Sequence, residues 1–155
     1  MEPLDRLLTF RSLSHPGASP IPVVFGRFLV RPLAATMIPA MLVGLVLVLQ
    51  AVDPLPFVLW AFPGAMVLAM AWTWFRMRSE VVEIVVSHNG AILKSVLEAA
   101  GSHDPGRLQR VFDVRPEAES LNVTVGHTAT RLARAEWPES LALHDALVVA
   151  KAFFD

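Results

Sequence analysis

Two patterns of apolar and polar positions divide the chain. Across residues 33–75 the apolar residues run almost without a break, and one ionisable residue, Asp53, occurs in those 43 positions. After Phe75 apolar and polar positions alternate instead. The continuous stretch has two halves, 33–52 and 54–75, of 20 and 22 residues. At about 1.5 Å per helical residue, each half crosses a hydrocarbon core of roughly 30 Å. Asp53-Pro54 is a strong breaker, and so short a link predicts two antiparallel neighbouring helices. A cleaved signal peptide is disfavoured by the 32-residue lead and by the length of the first apolar run.

The flanks set an orientation. Arg6, Arg11, Arg27 and Arg31 precede the first half, Arg76 and Arg78 follow the second, and the link has neither Arg nor Lys. The positive-inside rule then places both termini in the cytoplasm. Arg27, Arg31, Trp72, Trp74, Arg76 and Arg78 are the expected membrane-interface anchors, the arginines by snorkelling and the indoles by headgroup preference. Small residues recur every four positions: Thr36, Ala40 and Gly44 in the first half, Ala61, Ala65, Ala69 and Thr73 in the second. Such stripes let helix backbones approach closely, either on each other or on a partner. The two Thr hydroxyls bond across helices or back to their own backbone. Pro39 and Pro63 are expected to kink the helices locally. Residues 1–32 hold five Pro and three Ser, and Pro16, Pro20 and Pro22 argue against a long helix there. This segment is expected to be an arm, partly interfacial.

The alternating part reads as a small domain over 76–155. Val82, Ile84 and Val86 fall on one strand face, with Glu83 on the other. Asn89-Gly90 is a hairpin signal before a second strand over 91–97. Residues 98–106 read as a loop, and 108–114, 121–125 and 128–133 as three further strands. Trp137-Pro138 breaks the pattern. Leu143, Leu147, Ala150 and Phe154 are then spaced as one helical stripe, so 140–154 is a terminal amphipathic helix laid on the sheet. The expected fold is a membrane α-helical hairpin plus a small α+β domain, with an antiparallel sheet of about five strands.

Composition sharpens this picture by exclusion. The chain is 54% hydrophobic and only 17% charged, against about 25% charged for soluble domains. A net charge of −1 argues against a nucleic-acid partner. Zero Cys excludes disulfides and thiolate chemistry. The spans lack His, Lys, Arg and Glu, the groups on which proton relays and ion paths rely; of the haem ligands they hold only Met37, Met41, Met66 and Met70, whose helical spacing reads as packing or lipid contact. Ser102-His103-Asp104 has the letters of a hydrolase triad, but triad members converge from separated positions. His144 and Asp145 are helix neighbours expected to face different directions. His88, His103 and His127 lie near turns with no zinc-ligand spacing. Arg107, Arg110 and Arg115 offer a contact to anionic lipid, although Asp113, Glu117 and Glu119 among them suggest an ordinary mixed-charge face. No catalytic, cofactor or metal residue is expected.

The order of a helical hairpin, a basic exit, an antiparallel sheet and one C-terminal helix resembles bacterial membrane proteins with a pleckstrin-homology-like cytoplasmic domain. More narrowly, it is similar to an uncharacterised family of small bacterial two-span proteins. Arg11-Ser12-Leu13-Ser14, residues 76–80 and residues 137–147 carry the likeness. A full pleckstrin-homology sheet has seven strands, and about five are counted here. The resemblance implies no chemistry. The two inert spans, the small-residue stripes and the lack of site chemistry lead to the expectation of a non-catalytic accessory subunit of a larger complex in the bacterial inner membrane, respiratory or photosynthetic in kind. Its partners would be membrane lipids and other membrane subunits. The alternative is a membrane-tethered module that binds a lipid headgroup or a peptide.

Overall fold

The computed structural model describes residues 7–101 and 106–153. The chain divides into two compact units. One is 19–79; the other is built from the described parts of 1–18 and 80–155.

The first unit is a helical hairpin, α1 (Ile21–Leu49) packed against α2 (Leu55–Ser79). α1 starts well before residue 33, so the last twelve residues of the expected arm, 21–32, are helical. Two of the prolines expected to prevent this, Pro20 and Pro22, begin the helix. Pro20 is the N-cap and Pro22 sits in the first turn, where no backbone N–H has an intrahelical acceptor to lose. Pro32 and Pro39 lie inside α1 and Pro63 inside α2. α1 closes with a Schellman arrangement: the Val52 N–H donates to the Leu47 carbonyl and the Ala51 N–H to Val48. Ala51 takes the left-handed conformation this requires, at φ 56°. The Asp53 carboxylate accepts the Leu55 N–H at 3.0 Å and so caps the start of α2. The single ionisable residue of the apolar stretch is therefore a helix cap.

The second unit holds two three-stranded antiparallel sheets. The first is ordered β1 (Leu8–Arg11), β2 (Val81–Ser87), β3 (Gly90–Ser95) and the second β4 (Val111–Pro116), β5 (Ser120–Val125), β6 (Thr128–Ala133). This makes six strands rather than about five. The extra one, β1, comes from the presumed arm and pairs Phe10 with Ile84 and Arg11 with Glu83. In chain order the whole hairpin is inserted between two strands that are hydrogen-bonded neighbours. The sheets are stitched by reciprocal bonds between Ala91 and Gln109, both 2.9 Å. Gly90 is required there, because a Cβ on it would lie 2.5 Å from the Gln109 carbonyl oxygen.

The expected strand over 91–97 ends early, at Ser95, and α3 (Val96–Gly101) takes its last two positions and runs into the expected loop. Ser95 and Glu98 form a capping box: Glu98 accepts the Ser95 N–H at 2.8 Å, and Ser95 Oγ accepts the Glu98 N–H. The Ser-x-x-Glu spacing was present in the sequence as a signal for this helix. α4 (Ser140–Ala152) closes the core. Leu143, Leu147 and Ala150 pack with Phe10, Ile84, Val86, Val111, Val123, Val125 and Trp137. Phe154, the last member of the expected stripe, lies outside the described residues, as do Ser102, His103 and Asp104.

Candidate functional site

In the hairpin, the small residues line the side of each helix that is turned inward. Thr36, Ala40 and Gly44 are partly buried, as are Ala61 and Ala65, while Ala69 and Thr73 are buried. A Cβ at Gly44 would rest 3.9 Å from the Phe57 ring, in ordinary contact. The hydroxyls turn back to their own helices: Thr36 donates to the Pro32 carbonyl at 3.0 Å and Thr73 to Ala69 at 2.8 Å. They therefore satisfy themselves locally and make no bond across the seam. Among the anchors, Arg27, Arg31, Trp72, Trp74 and Arg78 are exposed, and the Arg76 guanidinium stacks 5.6 Å from the Phe28 ring. Arg27 and Arg31 lie on α1 itself rather than on a lead-in before it.

The second unit places a charged cluster on the outer face of the first sheet. Strand alternation puts Ile84 and Val86 into the core and Glu83 on the opposite face, as the spacing predicts. That face is not solvated, however. Glu83 is only 7% exposed, because α3 and the turn over 12–18 cover it. The turn is held by the Ser12 N–H donating to Val82 and the Leu13 N–H to Glu136. Register then aligns three charges in a row across β1, β2 and β3, Arg11, Glu83 and Lys94. Arg11 Nε donates to Glu83 Oε2 at 3.1 Å, and Lys94 Nζ lies 3.1 Å from Oε1. His15 Nε2 is 2.9 Å from Oε2, while its Nδ1 accepts the Gly17 N–H at 3.0 Å. With Nδ1 accepting, the proton sits on Nε2, so a neutral imidazole donates to the carboxylate. Burial alone would push the Glu83 carboxyl up; Lys94, His15 and Arg11 outweigh it and hold the group below its ordinary range. His15 and Lys94 were not singled out by sequence reading, since neither falls in a recognisable motif. An open depression of about 380 Å³ adjoins the cluster, with Gly17, Ala18 and Ala99 on its walls.

The remaining candidates are dispersed. His88 packs edge-on against Phe153, with ring centroids 5.1 Å apart, and His127 is exposed in a turn. His144 Nδ1 reaches Asp145 Oδ1 at 3.2 Å, so these neighbours do meet, contrary to expectation, as a pair with a largely solvated Asp145. Arg115 pairs with Asp113 at 2.6 Å and Arg110 stacks on Phe112, which fits the mixed-charge reading of that face. Glu117 accepts from Ser120 and pairs with Arg131 around the β4–β5 turn, which keeps its carboxyl below the ordinary range. Among the described residues no three His, Asp or Glu side chains gather as a metal site.

One apolar feature stands apart. The buried side of α4 is apolar, as expected, but its outer arc is apolar too. Leu141 is 72% exposed, Val149 64% and Phe153 59%, and Val148 is also exposed. Asp145 is the one charge on that arc; Lys151 pairs with Asp113 at 3.8 Å. No protein family, curated protein or solved structure matches the chain.

Proposed function

We propose that this chain is a non-catalytic accessory subunit of a larger bacterial membrane complex, anchored by its hairpin and docked on a protein partner through α4. The outer arc of α4 carries the reading. A surface helix ordinarily turns a polar face to water, whereas the outer arc of α4 exposes Leu141, Val148 and Val149 around Asp145, which suits a covered surface. A helix lying on an anionic bilayer presents Lys and Arg on its polar face. This arc has only Asp145, so a protein surface suits it better than a lipid one.

Membrane insertion is supported by two helices long and apolar enough to span, of whose apolar windows little is buried. The core helix of a soluble protein would be mostly buried. β1 and β2 are paired neighbours on either side of the hairpin in chain order, so both hairpin ends lead into one folded unit. That supports placing both ends on the same side of the bilayer. The arginines at 27, 31, 76 and 78 favour the cytoplasmic side of a bacterial inner membrane. Six strands and a C-terminal helix are compatible with the pleckstrin-homology-like reading, which we retain as part of the proposal.

The test is co-purification from native membranes in mild detergent. Leu141→Glu and Val149→Lys place a charge on the exposed arc and leave the buried face of α4 untouched. Both should lose the co-purifying subunit while the α+β unit still resists protease. A wild-type chain that purifies alone, or variants that keep the partner, would refute the reading. Cysteines at Ser14 should resist an impermeant thiol reagent in intact cells, and one at Asp53 should react.

A further inference from the structure

We propose that the depression beside Arg11 and Lys94 binds a compact phosphate group. Two cations face one carboxylate there, which leaves one net positive charge with His15 in its neutral tautomer. The hydrogen-bond inventory points the same way. Among the described residues Arg11 engages only Nε, and its side chain is 63% exposed, so both terminal nitrogens of the guanidinium are unspent. Lys94 uses one ammonium contact, to Glu83. A guanidinium edge matches two phosphate oxygens at once, and an ammonium adds a point charge beside it.

Glu83 does not oppose this. Both of its oxygens already accept hydrogen bonds, Oε1 from Lys94 and Oε2 from Arg11 and His15. It serves as an internal counterion that orients the two cations before a ligand arrives, which lowers the ordering cost of binding. The surrounding Gly17, Ala18 and Ala99 are small, and the depression of about 380 Å³ is wide enough for a phosphate with a substituent. A cation would meet net positive charge and one fully engaged carboxylate, so the site is built for the opposite sign.

The experiment uses the full chain in phosphatidylcholine nanodiscs, titrated with inorganic phosphate and followed by the amide resonance of Gly17. A second arm uses nanodiscs that contain phosphatidate, whose monoester would occupy the site from the bilayer. Saturable binding of phosphate that falls about tenfold or more in Arg11→Gln supports the proposal, a charge-assisted contact being the size of one such factor. Arg11 is exposed, and Glu83 keeps Lys94 and His15, so this variant should stay folded. Binding seen only with phosphatidate and lost in Arg11→Gln also supports the site and assigns its source to lipid. Absence of saturable binding in both arms overturns the proposal. So does binding that Arg11→Gln leaves unchanged.

Discussion

Replacing Leu147 with Ala removes the most enclosed aliphatic side chain of α4. Leu147 has no exposed surface and packs in the core that joins both sheets to the helix. A Leu→Ala change at such a site costs about 2–5 kcal/mol, from lost transfer energy plus the cavity left behind. β2, which lies under the helix, is hydrogen-bonded to β1 and β3 on both sides and cannot move in freely to fill the cavity. A domain of this size holds only about 5–15 kcal/mol in total. With a urea slope near 1 kcal/mol per molar, a loss of about 3 kcal/mol lowers the midpoint by about 3 M. Leu141→Ala is the control on the same helix; it is exposed and should shift stability by no more than about 0.5 kcal/mol. Pulse proteolysis with trypsin in a urea series, on the detergent-purified full chain, reads the unfolded fraction through cleavage after Arg110, Arg131 and Arg134. Equal midpoints for the two variants would mean that α4 does not pack through the Leu143, Leu147 and Ala150 face.

Three further outcomes are expected. Gly90→Ala should destabilise the α+β unit by several kcal/mol and displace Gln109, since the new Cβ meets a backbone carbonyl that cannot rotate away; pulse proteolysis and the amide resonances of Ala91 and Gln109 check it. The Glu83 carboxyl is held below its ordinary 4.5, so its contribution to stability is present above that value. The contribution is lost as pH falls through the lower folded value, and Glu83→Gln should abolish this acid-dependent loss in urea midpoints measured from neutral to acid pH. In the hairpin, Gly44→Ala should be tolerated and Gly44→Leu should weaken the packing of α1 on α2, because only the longer side chain must displace Phe57; resistance of the hairpin to SDS unfolding distinguishes them.

Much of this architecture follows from local pattern alone. Continuous apolar runs mark the two long helices, because every side of such a helix is compatible with the same apolar surroundings. Alternation marks β2, β3, β5 and β6, because successive side chains of a strand face opposite ways. Asn89-Gly90 locates the first hairpin, and Leu143, Leu147 and Ala150 identify the buried face of α4 by their spacing. Other features depended on contacts between distant residues. β1 is a four-residue strand that no periodicity detects, and it exists because β2 supplies its hydrogen bonds from more than seventy positions away. Pro20 and Pro22 read as obstacles until the start of α1 shows that they precede the first required N–H. Glu83 reads as a solvated strand position until α3 and the 12–18 turn close over it and bring Arg11, His15 and Lys94 to its two oxygens. Sequence spacing determines which face a side chain takes; only the packed chain decides whether that face meets water.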